Sequence, residues 1–417
     1  MIRGGDVMAM DDISVMVCDD SALMRNLVSR AVESVPGMHV VGKAENGKDL
    51  IDKIPKCNPD VIVLDIEMPV MTGVEFLKYR KENKIRIPVI ILSSIAEKGA
   101  AVTMQCLELG ASDFITKPNG SISADISEVA DQLIEMISSY GGQYARLHGK
   151  TVYRDDFYVQ IASDRAIKRK LQGVMGEDKA HEFLEREAAN KAEQARKATE
   201  ALKASLAGKP KEIPVITPLR KSGRIDIIAI GISTGGPNAL RDVFKMIDPR
   251  LKQPILVVQH MPAGFTKEFA NSLNRICALE VKEAEDGDKI ESGHVYIAPG
   301  NYHIVVEQQG FKNVIRLSSE PQRNGHRPSV DVLFESVAKI YQNKALGVIM
   351  TGMGKDGAVQ LAEMRKQGAW TLGQDEKSSV VYGMPRVANE LGAVQRQVPL
   401  EQMADEISKL AREHASS

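Results

Sequence analysis

The feature that most constrains this chain is a rhythm. Between residues 13 and 140 the short apolar runs ISVMVCDD, MHVVGKAE, VIVLDI, PVIILSS and DFITKP alternate with amphipathic stretches of helical spacing. Strand-length runs separated by helix-length segments predict βαβ units around a parallel sheet. The same rhythm restarts near Ile225 with IDIIAIG, PILVVQH, HVYIAPG, ALGVIMTG and AWTLGQ. A chain of 417 residues also exceeds what one hydrophobic core usually serves. The expected fold class is therefore α/β, with two parallel-sheet domains. One segment breaks the pattern: HIVVEQQGFKNVIRLSSE (303–320) alternates around a Gly-containing turn and predicts an inserted antiparallel hairpin.

Between the two blocks, residues 163–210 are rich in Ala, Lys, Glu and Arg and nearly free of aromatic residues. Such a stretch is helix-prone yet buries little apolar area against its ordering entropy, so it reads as a solvated linker. GKPKEIPVITP follows, and its three prolines put the start of the second domain near residue 222. The expected division is 12–140, an extended charged joint over 141–222, and 223–417. Lys and Arg number 54 against 55 Asp and Glu, with no basic block in the strand-rich parts, which argues against a nucleic-acid partner. The four cysteines, Cys18, Cys57, Cys106 and Cys277, have no metal-ligand spacing and are expected to be reduced, buried thiols. No run reaches the ~20 apolar residues of a membrane span, and the N-terminus lacks the apolar core of a signal peptide. No direct membrane insertion and a cytoplasmic location are expected.

In the first block, carboxylates stand at the C-terminal ends of strands. Asp19 and Asp20 close VMVCDD, and Asp65 closes the strand of VIVLDIEMP. A parallel sheet gathers such ends at one edge, beside its switch point. Three carboxylates there repel one another unless a hard cation neutralises them, and oxygen ligands suit Mg²⁺. Ser93 and Lys117 end the next two strands, adding a hydroxyl and an ammonium. That set can hold a phosphoryl group, with Asp65 as the nucleophile that forms an acyl phosphate. A lone Asp at a strand end is ordinarily a turn or cap residue; five matching positions in order are not explained that way. The acidic pair, DIEMP, the Ser of LSS and the KP after the fifth strand resemble a response-regulator receiver domain, which is flavodoxin-like. The resemblance implies that a histidine kinase phosphorylates Asp65. It further implies that Asp20, Asp65 and the Met68 carbonyl hold Mg²⁺, while Ser93 and Phe114 register the phosphate.

In the second block, AIGISTGGP (229–237) satisfies G-x-S-x-G at Gly231, Ser233 and Gly235. Small neighbours let the chain turn sharply and leave the serine oxygen exposed. By itself this loop fits a nucleophile, a phosphate cradle or a plain turn. The spacing of a dinucleotide loop is absent, and no Lys-Ser/Thr pair completes a P-loop. Of eight histidines, His260 ends a strongly apolar strand and so emerges at the same sheet edge as Ser233. His294 and His303 begin strands, which assigns them to the far edge with structural roles; His326 is a loop residue able to line a pocket. Asp356, in TGMGKDG, follows ALGVIM at the Ser233 edge. Hydroxyl, imidazole and carboxylate thus converge, with His260 as base, Asp356 as its orienter and loop N–H groups for an oxyanion. The reaction class is acyl transfer, in the order Ser, His, Asp rather than the Ser, Asp, His of ordinary α/β-hydrolases.

Across residues 224–415, GISTGGP, QHMPAGFT, GHRPSVDVLF and MTGMGKDGA resemble the chemotaxis methylesterase family, the CheB proteins, and a receiver in front matches the same family. The joint is longer than this resemblance leads one to expect. The resemblance implies a doubly wound esterase domain that hydrolyses glutamate γ-methyl esters on chemoreceptor helices and also deamidates receptor glutamines. Its catalytic residues fall on Ser233, His260 and Asp356, with the Met353 backbone as oxyanion donor and no cofactor for the ester hydrolysis. Two other readings compete: a signalling module without catalysis, and a nucleotide-binding protein.

Overall fold

The computed structural model describes residues 10–93, 97–117, 125–153, 157, 158, 161 and 213–415, leaving out the side chains of 97, 98 and 125–128. The charged stretch 163–210 lies outside the described residues. Near the N-terminus, β1 (Ile13–Cys18), β2 (Met38–Ala44), β3 (Val61–Asp65), β4 (Val89–Ser93) and β5 (Asp113–Thr116) form one sheet in the order β2-β1-β3-β4-β5. All its pairings are parallel. β3 and β4 are buried along their whole length, as strands covered on both faces must be. The helices are α1 (Ala22–Glu33), α2 (Gly47–Cys57), α3 (Gly73–Glu82), α4 (Glu97–Glu108) and α5 (Asp125–Met136). Their starts are written locally: the Ser21 hydroxyl accepts from the Met24 N–H, and Thr72 with Glu75 forms a reciprocal capping box. A π-helical turn (Ile137–Gly141) carries α5 into α6 (Gly142–Leu147). The strand order reverses between β1 and β3, so their C-terminal ends open one crevice.

The second block builds β6 (Ile227–Ile232), α7 (Gly236–Met246), β7 (Ile255–Gln259), α8 (Phe265–Asn274), β8 (Glu280–Glu283) and β9 (His294–Ile297). The hairpin β10 (His303–Gln309) and β11 (Lys312–Ser318) follows, then α9 (Val330–Tyr341), β12 (Ala345–Ile349) and α10 (Ala358–Gln367). The chain closes with β13 (Trp370–Gln374), α11 (Met384–Glu390), β14 (Arg396–Val398) and α12 (Leu400–Glu413). The sheet runs β14-β13-β12-β6-β7-β9-β8 with every pairing parallel, and β10 and β11 pair antiparallel as expected. β6 lies between β12 and β7, so the loops after these three strands are neighbours.

Three expectations need correction. β8 and β14 were not anticipated: they are short edge strands with mostly polar, partly exposed residues, so no apolar run announces them. His303 is not at the far edge of the parallel sheet. It opens the separate hairpin and is fully buried, its Nδ1 accepting from the Ser329 N–H at 3.1 Å and its Nε2 donating to the Pro321 carbonyl at 3.2 Å. His294 does begin β9, paired with Glu280 at 3.2 Å. All four cysteines are free, but only Cys18 and Cys106 are buried; Cys57 and Cys277 are half-buried.

The two domains touch directly. The Phe114 ring of β5 stacks on Phe265 of α8 with centroids 4.9 Å apart, inside an apolar cluster that runs from Met16 through Phe114 to Ile230. Polar contacts ring this stack. The Asp113 carboxylate accepts from the Gly235 N–H at 2.9 Å, and the Asn238 amide donates to the carbonyls of Ala111 and Ser112. Glu108, at the end of α4, accepts from Arg275 at 2.8 Å and from the Ser272 hydroxyl at 2.9 Å, with Arg241 at 3.4 Å.

Candidate functional site

Ser233 follows β6 on a turn that needs Gly235 in the left-handed region, at φ +80°, to swing the chain into α7. His260 follows β7, and Asp356 lies in the loop between β12 and α10. The fold brings all three together. Ser233 Oγ is 3.1 Å from His260 Nδ1, and His260 Nε2 is 2.8 Å from Asp356 Oδ2. A carboxylate at Nε2 holds the proton on that nitrogen and leaves Nδ1 as the acceptor for the serine hydroxyl.

Asp356 is itself held by more groups than the sequence indicated. Its oxygens accept from the Asn324 amide at 2.8 Å, the Ser329 hydroxyl at 2.8 Å and the N–H groups of Val330 and Asp331 at 2.7 and 3.2 Å. The last two are the opening N–H groups of α9, the positive end of its dipole. Burial raises the carboxyl pKa, but the hydrogen bonds from His260, Asn324 and Ser329 outweigh it and hold the group well below the usual carboxylate range. The His326 ring stacks on His260 with centroids 3.8 Å apart. Burial, then repulsion from His260, drops its pKa to about 4, so it presents a neutral face to the base. Of these partners only His326 was singled out from the sequence. Asn324 precedes the GHRPSVD segment and Ser329 lies within it, and a serine just before a helix start is the one local signal that could have found Ser329.

A cavity of about 590 Å³ opens in front of Ser233 and His260, with Met353 on its rim. Its opposite wall comes from the first domain: Phe114, Asp131, Gln132 and Glu135. Residues of β5 and α5 thus line the same cavity as Ser233.

At the other sheet edge, Asp19, Asp20 and Asp65 bring carboxylate oxygens within 4.8 Å of one another, Asp20 exposed and the other two buried. Lys117 Nζ joins them, 3.0 Å from Asp19 and 2.8 Å from Asp65. Burial raises the Asp65 pKa, partly offset by Lys117, whereas Lys117 is lifted above its ordinary value by the two carboxylates despite its own burial. Three carboxylates against one ammonium leave an excess of oxygen donors and negative charge, the donor set a hard divalent cation takes. Met68 packs its thioether 3.5 Å from Cys18 Sγ, which fixes the turn after Asp65 beside this cluster. Ser93 is buried, its hydroxyl 2.6 Å from that of Thr103, which in turn donates to the Gly99 carbonyl. Phe114 stacks on Phe265 in the contact between domains.

Comparison with known proteins matches each of the two blocks to a family. The family described as CheB methylesterase matches residues 228–407, and the response regulator receiver domain family matches 15–124. The chain is 49% identical to a Treponema pallidum protein named protein-glutamate methylesterase/protein-glutamine glutaminase, over 98% of this chain and 99% of that one. A Treponema denticola protein of the same name is 51% identical over 97% of this chain and 100% of its own length. Both alignments run through the long joint. The catalytic domain of a Thermotoga maritima CheB methylesterase, a crystal structure, is 39% identical over 45% of this chain and 99% of that chain, with a TM-score of 0.44. A receiver-type domain and a Ser-His-Asp domain in one chain, with relatives of one name along nearly all of it, make this protein a member of the CheB family of protein-glutamate methylesterase/protein-glutamine glutaminase enzymes.

Proposed function

We propose that residues 223–417 hydrolyse glutamate γ-methyl esters on methyl-accepting chemoreceptors through Ser233, His260 and Asp356, and that residues 12–140 govern access to them by phosphorylation. The observation that carries this reading is the hydrogen-bonded relay from Ser233 Oγ through His260 to Asp356. Ser233 Oγ adds to the ester carbonyl carbon while His260 Nδ1 takes its proton. Asp356 stabilises the charged imidazole, and the Met353 N–H donates to the oxyanion. His260 then returns the proton to the leaving oxygen, the C–O bond breaks and methanol departs. Water repeats the attack on the acyl-serine, yielding the free γ-carboxyl and regenerating Ser233. With a glutamine side chain the leaving group is ammonia.

In the receiver, Asp65 is the phosphate acceptor and a chemotaxis histidine kinase the donor. Asp19, Asp20, Asp65 and the Met68 carbonyl would hold Mg²⁺, which when bound neutralises the phosphoryl oxygens. Lys117 is within reach to add its own charge. Drawing Ser93 off Thr103 toward the phosphate would let Phe114 follow, loosening its stack on Phe265 and with it the lid over Ser233. The work is expected in the cytoplasm, where receptor helices and kinase meet. Methanol release from methylated receptor membranes, with and without a phosphodonor and Mg²⁺, tests the reading. No release in either condition would leave a signalling module without catalysis.

A further inference from the structure

Gln259 is none of the groups that carry the reaction, yet it stands between two of them. It is the last residue of β7, in register with Ile232 of β6, and only 2% exposed. Here the strand ladder stops: His260 still donates its N–H to the Ile232 carbonyl at 3.2 Å, and beyond it the chains leave the sheet for separate loops. Gln259 bridges that gap. Its Nε2 donates to the Ser233 carbonyl at 3.1 Å and to the His260 carbonyl at 3.1 Å, using both protons of the amide. The opposite amide orientation would set an oxygen against two carbonyl oxygens, so the donor assignment follows from the chemistry.

The other end of the side chain is held at a cost. Gln259 Oε1 is buried and accepts no hydrogen bond from the described residues. It lies against the first turn of α7, where a Cβ on Gly236 would come within 1.9 Å of it. Only glycine admits the oxygen there, and the positive end of the α7 dipole partly compensates it. A buried acceptor without a donor is retained where the rest of the group does something an apolar side chain cannot. What an apolar side chain cannot do here is tie the main chains of Ser233 and His260 to one rigid amide.

We propose that Gln259 is a positioning residue for the hydrolysis, its Nε2 amide locking the backbones of Ser233 and His260 in reacting register. The proposal rests on the reading of Ser233 as nucleophile and His260 as base. The 3.1 Å contact between Ser233 Oγ and His260 Nδ1 joins side chains on loops after two different strands. A tie between their main chains sets that distance.

The test uses the full-length chain activated with acetyl phosphate and Mg²⁺. Gln259→Met keeps the length and removes the donor; Gln259→Glu keeps the shape and replaces the NH₂ by an oxygen facing both carbonyls. For each, kcat for methanol release from methylated receptors is expected to fall about 10- to 100-fold with KM within about twofold, because misplacing a reacting pair by about 1 Å costs that much. The rate at which a small fluorophosphonate modifies Ser233 should fall by a similar factor, since that reaction needs no receptor contact. Unchanged kcat in Gln259→Glu, or a raised KM with kcat intact, overturns the proposal. Failure of both variants to fold, read by near-UV circular dichroism, would make Gln259 a residue of the fold and overturns it equally. Ser233→Ala, run in parallel, separates the two levels: if it keeps turnover, the reading of the site fails whatever Gln259 does.

Discussion

Two crevices at the C-terminal edges of parallel sheets solve opposite electrostatic problems in this molecule. At the receiver edge, Asp19, Asp20 and Asp65 crowd within 4.8 Å, with Lys117 paired to Asp19 and Asp65. Like charges so close repel one another unless positive charge neutralises them, which is the ground for proposing a cation and a phosphoryl group at this edge. At the esterase edge, Asp356 meets one imidazole, one amide, one hydroxyl and two backbone N–H groups. The chain itself supplies the donors that this carboxylate accepts from, and pre-organised dipoles of this kind cost no rearrangement at the moment of reaction. One edge carries uncompensated negative charge; at the other the chain's own donors meet the carboxylate. The same topology therefore presents two different electrostatic settings, depending on whether the strand ends carry uncompensated charge.

The largest expected effects come from dismantling the esterase edge. Ser233→Ala or His260→Ala should lower methanol release on the order of 10³-fold or more, and the double variant should be no worse than either single one, since the groups act as a unit. Asp356→Asn should cost less. Wild-type turnover in a folded Ser233→Ala protein would end the comparison altogether. Next come the effects of denying charge to the receiver edge. Asp65→Asn, or chelation of Mg²⁺, should abolish activation by a phosphodonor while leaving the basal rate unchanged, a coupling of about 5- to 150-fold. Activation that survives in Asp65→Asn would show that the acidic edge is not the switch.

Smaller shifts are expected where the two edges meet. Asp113→Ala and Glu108→Ala each remove contacts between domains, to the Gly235 N–H and to Arg275 and Ser272 respectively. Each should raise the basal rate of the unphosphorylated chain several-fold, Asp113→Ala more, because its carboxylate is buried and Glu108 is partly solvated. Basal rates equal to the parent would mean that the contact does not restrain catalysis. A pH test refines this. Burial, with Asp131 beside it, pushes the Glu135 carboxyl on the cavity wall from 4.5 up to about 7. The closed arrangement thus keeps a proton that a solvated Glu135 loses, so closure is firmest below about pH 4.5 and weakens as pH rises through 7. The ratio of basal to phosphodonor-activated rate should climb between about pH 5 and pH 7.5. A climb of equal size in Glu135→Gln would assign it to another group. The smallest effect belongs to the joint: deleting 163–210 should move the melting temperature of the 223–417 transition by no more than about 2 °C, since its composition offers little apolar surface to pack.

The legible part of this protein is the part set by local pattern. Apolar runs of strand length, repeated between amphipathic stretches, determine two parallel sheets, because a run buried on both faces has nowhere else to go. Residues at the ends of such runs then share an edge whatever the details, so Asp19, Asp65, Ser233 and His260 could be grouped before any contact was known. Where a strand sits at a sheet edge the pattern fades, as it does for the polar β8 and β14.

What only the tertiary structure decided is every pairing between residues distant in the chain and without a shared period. Ser329 and Asn324 reach Asp356 from 27 and 32 positions away, and His303 backs Ser329 from 26 positions off, on a hairpin whose place in space no local signal encodes. Gln259 reads as one more residue of an apolar strand until its amide is seen between two carbonyls. The closure of the receiver over the cavity, through Phe114 and Asp113, joins positions more than 120 residues apart. Period and composition act along the chain, whereas hydrogen-bond satisfaction and the stacking of one ring on another act across it, and these are settled only when the folded surfaces meet.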